Sequence, residues 1–175
     1  MATVPSPVSF DEYMNTSYSP DCEYIDGVVI ERNVGQGEHS YAQGKIYRKL
    51  DEFCETKRLV VLPEQRTRVA PARIRIPDIS VVRKLERVTT RPPLLCVEVF
   101  SPEDRWSRLT LCIGDYQEMG VPCVWVVDPF QRRAWIFETD KPPEEVLDGK
   151  LRAAELGVEI NLTDVLPPLT DLETE

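Results

Sequence analysis

The run Leu94–Phe100 (LLCVEVF) constrains this chain more than any other stretch. It is apolar on both alternating faces, which suits a central strand covered on both sides of a sheet. Its one interruption is Glu98. A carboxylate inside such a run is costly to bury unless something neutralises it. Upstream, Arg73–Val82 (RIRIPDISVV) repeats the pattern around Asp78. Alternation along this predicted strand puts Ile74, Ile76, Asp78, Ser80 and Val82 on one face and Arg73 and Arg75 on the other. On the apolar strand it groups Leu94, Cys96, Glu98 and Phe100. Two such carboxylates on neighbouring strands can share one cation, which removes the cost of burial. The plainer alternative is that each sits at a strand end, solvated or against an arginine, since ion pairs are commoner than metal sites.

Around these strands the chain reads as one domain over 1–175, long enough for its own core. Ser9 caps a short helix, with Glu12 closing a capping box. Cys22–Glu31 reads as a hairpin about Asp26-Gly27, a pair that accepts the positive φ of a tight turn. A helix spans about Glu38–Glu55, with Ile46, Tyr47, Leu50, Phe53 and Cys54 on one stripe. His39 falls in its first turn, where a lone histidine is more often a surface or packing residue than a catalyst. Leu59–Val69 reads as a strand bending near Pro63, with Arg66 and Arg68 on one face. Ser101-Pro102-Glu103-Asp104 reads as the entrance to a helix that Gly120 stops near Met119. Leu109, Cys112, Ile113 and Tyr116 form its buried stripe. Val121–Val127 and Arg133–Glu138 read as strands, Val146–Ala153 as a short hairpin, and Ile160–Leu166 as a closing helix capped at Thr163. Residues 1–9 and the acidic C-terminus read as tails. The expected fold is α/β: a mixed sheet flanked by helices, extended by the N-terminal hairpin.

Net charge is −9, which disfavours indiscriminate nucleic-acid binding. The basic groups are concentrated, however: residues 57–108 carry 12 basic and 6 acidic side chains. A basic field around an acidic pair suits a polyanionic substrate with a metal ion between. Equally, those arginines can face solvent or the acidic flanks. Five cysteines, an odd number with no Cys-x-x-Cys pair, suit a reducing cytoplasm. No apolar run is long enough to span a membrane, and the N-terminus lacks the features of a secretory signal. With one histidine, a zinc site is not expected, and a cysteine hydrolase using His39 has no supporting motif.

YIDG after a glutamate, a helix beginning at His39, IPD, VEV followed by SPEDR and SR, DY before GVP, and W-VDP occur in one order. Together they resemble a widespread bacterial family grouped with the restriction endonucleases, in the PD-(D/E)XK nuclease superfamily. The likeness covers about residues 8–140, leaving 141–175 as a C-terminal extension. It implies a restriction-endonuclease-like core and Mg²⁺-dependent hydrolysis of DNA phosphodiester bonds, with Mn²⁺ as a substitute. It implies Asp78 and Glu98 as catalytic metal ligands, with the Val99 carbonyl as a third. Arg66, Arg68, Arg105 and Arg108 are candidate phosphate contacts. The superfamily's lysine position two residues after the acid holds Phe100. The position on the following helix, where the family carries its lysine, holds Cys112, preceded by Leu111. Two readings follow: an endonuclease, weakened or inactive for want of that lysine, or an inert nuclease fold serving as a binding module. The sequence is compatible with a homodimer but identifies no face for one.

Overall fold

The computed structural model describes residues 7–32, 35–102 and 105–168. The proposed tails and the acids Glu103 and Asp104 of the helix entrance lie wholly or partly outside them.

Helix α1 (Phe10–Asn15) starts where Ser9 Oγ accepts from Glu12 N–H at 3.1 Å. Strands β1 (Cys22–Ile25) and β2 (Val28–Glu31) form the expected hairpin, with Asp26 and Gly27 both at positive φ. Helix α2 (Gly37–Glu55) buries His39, Ala42, Ile46, Leu50 and Cys54.

The stretch Leu59–Val69 is not one strand. It divides into β3 (Val60–Pro63) and β4 (Thr67–Ala70), which belong to different sheets. Arg73–Val82 likewise divides into β5 (Arg73–Arg75) and β6 (Ile79–Val82). The cause is local: Pro63 precedes Glu64 at positive φ, and Pro77 has no N–H for a ladder. The chain thus crosses from the small sheet to the large one at Ile76–Asp78.

Beyond the crossing come β7 (Leu95–Val99), α3 (Trp106–Met119), β8 (Cys123–Asp128) and β9 (Arg133–Glu138). Helix α3 starts one turn later than its sequence suggests, and Gly120 ends it in the left-handed conformation. The C-terminal expectations shift more. β10 (Glu144–Glu145) joins β9, and the hairpin is β11 (Lys150–Ala153) with β12 (Val158–Asn161). A single 3-10 turn, Leu162–Asp164, stands where a helix capped at Thr163 was expected.

The large sheet has the order β10-β9-β8-β7-β6-β3, and the small one β2-β1-β5-β4. β7 and β8 are parallel, joined by the α3 crossover, while the other neighbours in the large sheet are antiparallel. Leu95, Val97 and Val99 pack in the α2-side core with Ile79, Val81 and Trp125. Cys96 packs on the other face with Leu109, Cys112, Ile113 and Tyr116 of α3. The β11–β12 hairpin also closes the α2-side core. Trp125, fully buried, joins the two by donating from Nε1 to the Arg152 carbonyl at 2.8 Å. Among the described residues, no helix is long and apolar enough to cross a membrane.

Trp125→Ala removes the largest fully buried side chain and leaves that carbonyl only the weak Cys123 Sγ donor at 3.8 Å among side-chain partners. Urea unfolding should show a loss of about 3–5 kcal/mol with little change in m-value. A loss within ~0.5 kcal/mol would contradict this account of the core.

Candidate active site

Register brings the two acids together. In the antiparallel β6–β7 pair, Ile79 faces Val97 and Ser80 faces Cys96. One residue further, just before β6 begins, Asp78 comes level with Glu98. Both line one pocket with Glu23, Arg32, His39, Val99, Arg108 and Cys112. Its interior measures about 60 Å³. That is several times the ~10–15 Å³ one water needs, so a hydrated ion fits.

Asp78 is held from three directions. Its Oδ2 accepts from the Val99 backbone N–H at 2.7 Å and lies 3.4 Å from His39 Nε2. Its Oδ1 accepts from Arg32 Nη2 at 2.7 Å. The Asp78 side chain is 5% exposed and that of Arg32 17%, so this ion pair is well shielded. Burial opposes the Arg32 charge, but Asp78, then Glu98, Glu64 and Glu23, outweigh it and hold its pKa above the ordinary value. The Asp78 carbonyl accepts from Gln43 Nε2 at 3.1 Å, tying the sheet crossing to α2.

Glu98 is half-buried. Its Oε1 accepts from Tyr116 Oη at 2.6 Å and lies 3.7 Å from Cys112 Sγ. Burial, and next the Asp78 charge, push its pKa up to about 8. Burial and the nearby Glu98 also push the Cys112 thiol up, so it stays neutral at physiological pH. All five cysteines are buried and free.

A third acid completes the pocket wall. Glu23 on β1 receives Arg75 Nη1 at 2.9 Å and the Ile76 backbone N–H at 3.3 Å, with Arg108 Nη2 3.4 Å away. Arg75 Nε also donates to Asp115 on α3 at 2.6 Å, and Asp115 receives Arg73 Nη1 at 2.6 Å. This ion network fastens the small sheet to α3 beneath the pocket.

The four candidate phosphate arginines are not together. Arg108 lines the pocket. Arg66 pairs with Asp21 at 2.5 Å in a separate groove, and Arg68 donates to the Pro71 carbonyl. Arg105 is exposed at the α3 N-cap. Arg66, Arg73 and Arg75 all pair with acids of the flanks, whereas Arg83, Lys84, Arg87, Arg91 and Arg105 of the same basic middle are exposed. Cys112 lies beside Glu98, while Leu111 is 68% exposed and points elsewhere. Val99 packs its side chain in the α2-side core and turns its N–H to Asp78.

Arg32, His39 and Glu23 are the residues that the sequence reading missed. His39 is buried, as the packing alternative expected, and in addition lies against Asp78. Its spacing to Ala42 and Ile46 on the α2 stripe was the available signal. A Cβ at Gly35 would stand 2.4 Å from His39 Nδ1, so the glycine makes room for the ring. Glu23, a lone acid between Cys22 and Tyr24, follows the rule that found Glu98. Arg32 has no local signature.

Oxygen donors of this kind suit a hard cation such as Mg²⁺. Among the described residues, no group of three or more His, Cys, Asp or Glu side chains is arranged around a metal position. An ion would therefore rest on the two carboxylates, backbone oxygen and water, as Mg²⁺ often does. Burial first, and the Asp78 charge second, hold the Glu98 pKa up, and a cation between the two carboxylates would offset both. The donor set fits.

The family model Uma2, described as "Putative restriction endonuclease", matches residues 10–173. A crystal structure of a "putative nuclease belonging to DUF820" from Anabaena variabilis superposes with a TM-score of 0.82 at 20% identity. The match covers 91% of this chain and 97% of that one. At such identity the likeness speaks for the fold, which is restriction-endonuclease-like: mixed sheets flanked by helices. No curated protein matches.

Glu98 also gives stability a pH dependence. Its pKa is about 8 in the folded chain against an ordinary 4.5, so between those values the native state binds more protons than the unfolded one. Stability contributed by this group therefore falls as pH rises through that window. In metal-free buffer, Glu98→Gln should lose less stability than wild type between pH 5 and about 8 in parallel urea titrations. Identical slopes would place Glu98 in a less perturbed setting.

Proposed function

The chain belongs to the Uma2 family, and from its pocket we propose that it hydrolyses DNA phosphodiester bonds with a divalent ion, Mg²⁺ by preference and Mn²⁺ as substitute. The carrying observation is that Asp78, at the entry to β6, and Glu98, on the adjoining β7, line one small polar pocket. Asp78 and Glu98 would hold the ion, with the Val99 carbonyl as a candidate third ligand. When bound, such an ion supplies an acidified water and neutralises charge on the phosphate.

The chain's own groups set the rest. The Val99 N–H and His39 orient Asp78, and Tyr116 orients Glu98. Arg108 is the candidate best placed for a phosphate oxygen. Arginine stays protonated, so it can steady negative charge but is a poor base. Cys112 occupies the expected lysine position and contributes neither charge nor a base, because burial keeps its thiol protonated. Losing a positioned acid–base group of this kind typically costs on the order of 10²–10⁴-fold in rate. The proposed enzyme is accordingly slow.

The second reading is an inert module that keeps the fold and binds a partner. The Arg32–Asp78 ion pair and the neutral Cys112 favour it, because they satisfy the pocket without a metal.

Supercoiled plasmid with Mg²⁺ or Mn²⁺ separates the two. Wild type should nick it slowly, and Asp78→Ala should abolish nicking. Cys112→Lys should raise the rate by about 10²-fold or more. Nicking untouched by Asp78→Ala marks a contaminant. No nicking by wild type or Cys112→Lys favours the inert module.

A further inference from the structure

Arg32 sits where a metal would have to bind. Its Nη2 lies 2.7 Å from Asp78 Oδ1, while the other Asp78 oxygen is taken by the Val99 N–H. A guanidinium on Oδ1 and a divalent ion on Oδ1 compete for one oxygen: it has two lone pairs, but two cations held against the same atom in a small shielded pocket repel each other. The pair is well shielded, so solvent screens it little. Arg32 also has an alternative partner: its Nη1 is 3.7 Å from Oε1 of Glu64, whose side chain is 58% exposed. The guanidinium therefore stands between a buried acid and an outer one.

We propose that Arg32 is an exchangeable counter-ion: it neutralises Asp78 in the metal-free pocket and must leave Oδ1, toward Glu64, for a divalent ion to bind. This inference rests on the metal-site reading above. It makes Arg32 a positioning residue that lowers apparent metal affinity. One cation replaces another, so the buried carboxylates are never left without a positive partner. A charge-assisted hydrogen bond must be broken at each binding event, and such a bond accounts for about tenfold or more in affinity.

Calorimetric titration with Mn²⁺ alone tests it, using wild type, Arg32→Gln and Arg108→Gln. Arg108 removes an equal charge from the same pocket but contacts Glu23, not Asp78. Arg32→Gln should bind Mn²⁺ about tenfold more tightly than wild type, and Arg108→Gln distinctly less so. In thermal melts, metal-free Arg32→Gln should unfold at a lower temperature than wild type, yet gain more from saturating Mn²⁺. Wild-type binding with equal or weaker affinity in Arg32→Gln overturns the counter-ion role and leaves the metal site standing. Equal tightening in both variants also overturns it, because general electrostatics then suffices. Binding by none of the three, at millimolar Mn²⁺ and with the fold intact, overturns the metal site and this inference with it. If Arg32→Gln does not fold, Arg32→Lys replaces it: the lysine loses the planar fork, so affinity should rise severalfold. Affinity unchanged in that variant overturns the proposal.

Discussion

Buried negative charge organises this structure. Asp78, Glu98 and Glu23 line one small pocket, and Asp115 lies beneath it. Each must have a donor or a cation, because an unpaired buried carboxylate is far costlier than any single contact in the core. The solutions differ. Glu23 and Asp115 share Arg75, whose guanidinium is almost wholly enclosed. That arrangement reads as permanent, and it binds β5, β1 and α3 into one body. Asp78 and Glu98 are satisfied differently. One leans on Arg32, and the other accepts from Tyr116 and holds its proton to an unusually high pH.

The fold delivers that contrast through one interruption. Had Arg73–Val82 remained a single strand, Asp78 would lie inside a ladder with its backbone committed to both neighbours. Pro77 ends the small sheet's claim on the chain, and Ile79 opens the large sheet's. Asp78 falls at the seam. Its carbonyl meets Gln43 of α2 and its side chain meets the end of β7, so two neighbouring elements fix this one residue. Such fixing is what a site needs if it is to hold an ion and a phosphate in register.

Much of this was legible in the residues. The apolar run Leu94–Phe100 announced a central strand, and β7 is flanked by β6 and β8. Ser9, Asp26-Gly27 and Gly120 marked their caps and turn through local chemistry, and the structure places them so. Alternation put Asp78 and Glu98 on inward faces, and both line the pocket. Local pattern failed where partners are remote. Leu59–Val69 and Arg73–Val82 each look like one strand, because sheet membership depends on pairing and not on periodicity. The α3 entrance was expected at Ser101-Pro102, but the helix begins at Trp106, and Arg105 supplies no side-chain cap. The C-terminal hairpin was placed too early, since the Leu151 and Ile160 pairing that defines it is not visible in either segment alone. Arg32 reaches Asp78 across 46 residues, and no spacing rule announces it. The basic middle left two readings open, and the structure divides it: Arg66, Arg73 and Arg75 pair with Asp21, Asp26, Glu23 and Asp115, while Arg83, Lys84, Arg87 and Arg91 are exposed.

Cys112 gives the site its particular chemistry. Beside Glu98, it leaves the pocket without a mobile ammonium, while Arg32 and Arg108 provide charge that does not titrate. Among the residues lining the pocket there is thus no lysine, which on the proposed reading fits a slow hydrolase better than a fast one. The central claim is that Asp78 and Glu98 hold one cation between them. Crystals grown with Mn²⁺ and measured at the manganese absorption edge test it most directly. The account predicts a single anomalous peak ligated by both carboxylates, with Arg32 withdrawn from Asp78. A pocket without such a peak, in crystals saturated with Mn²⁺ and with Arg32 still on Asp78, would contradict it.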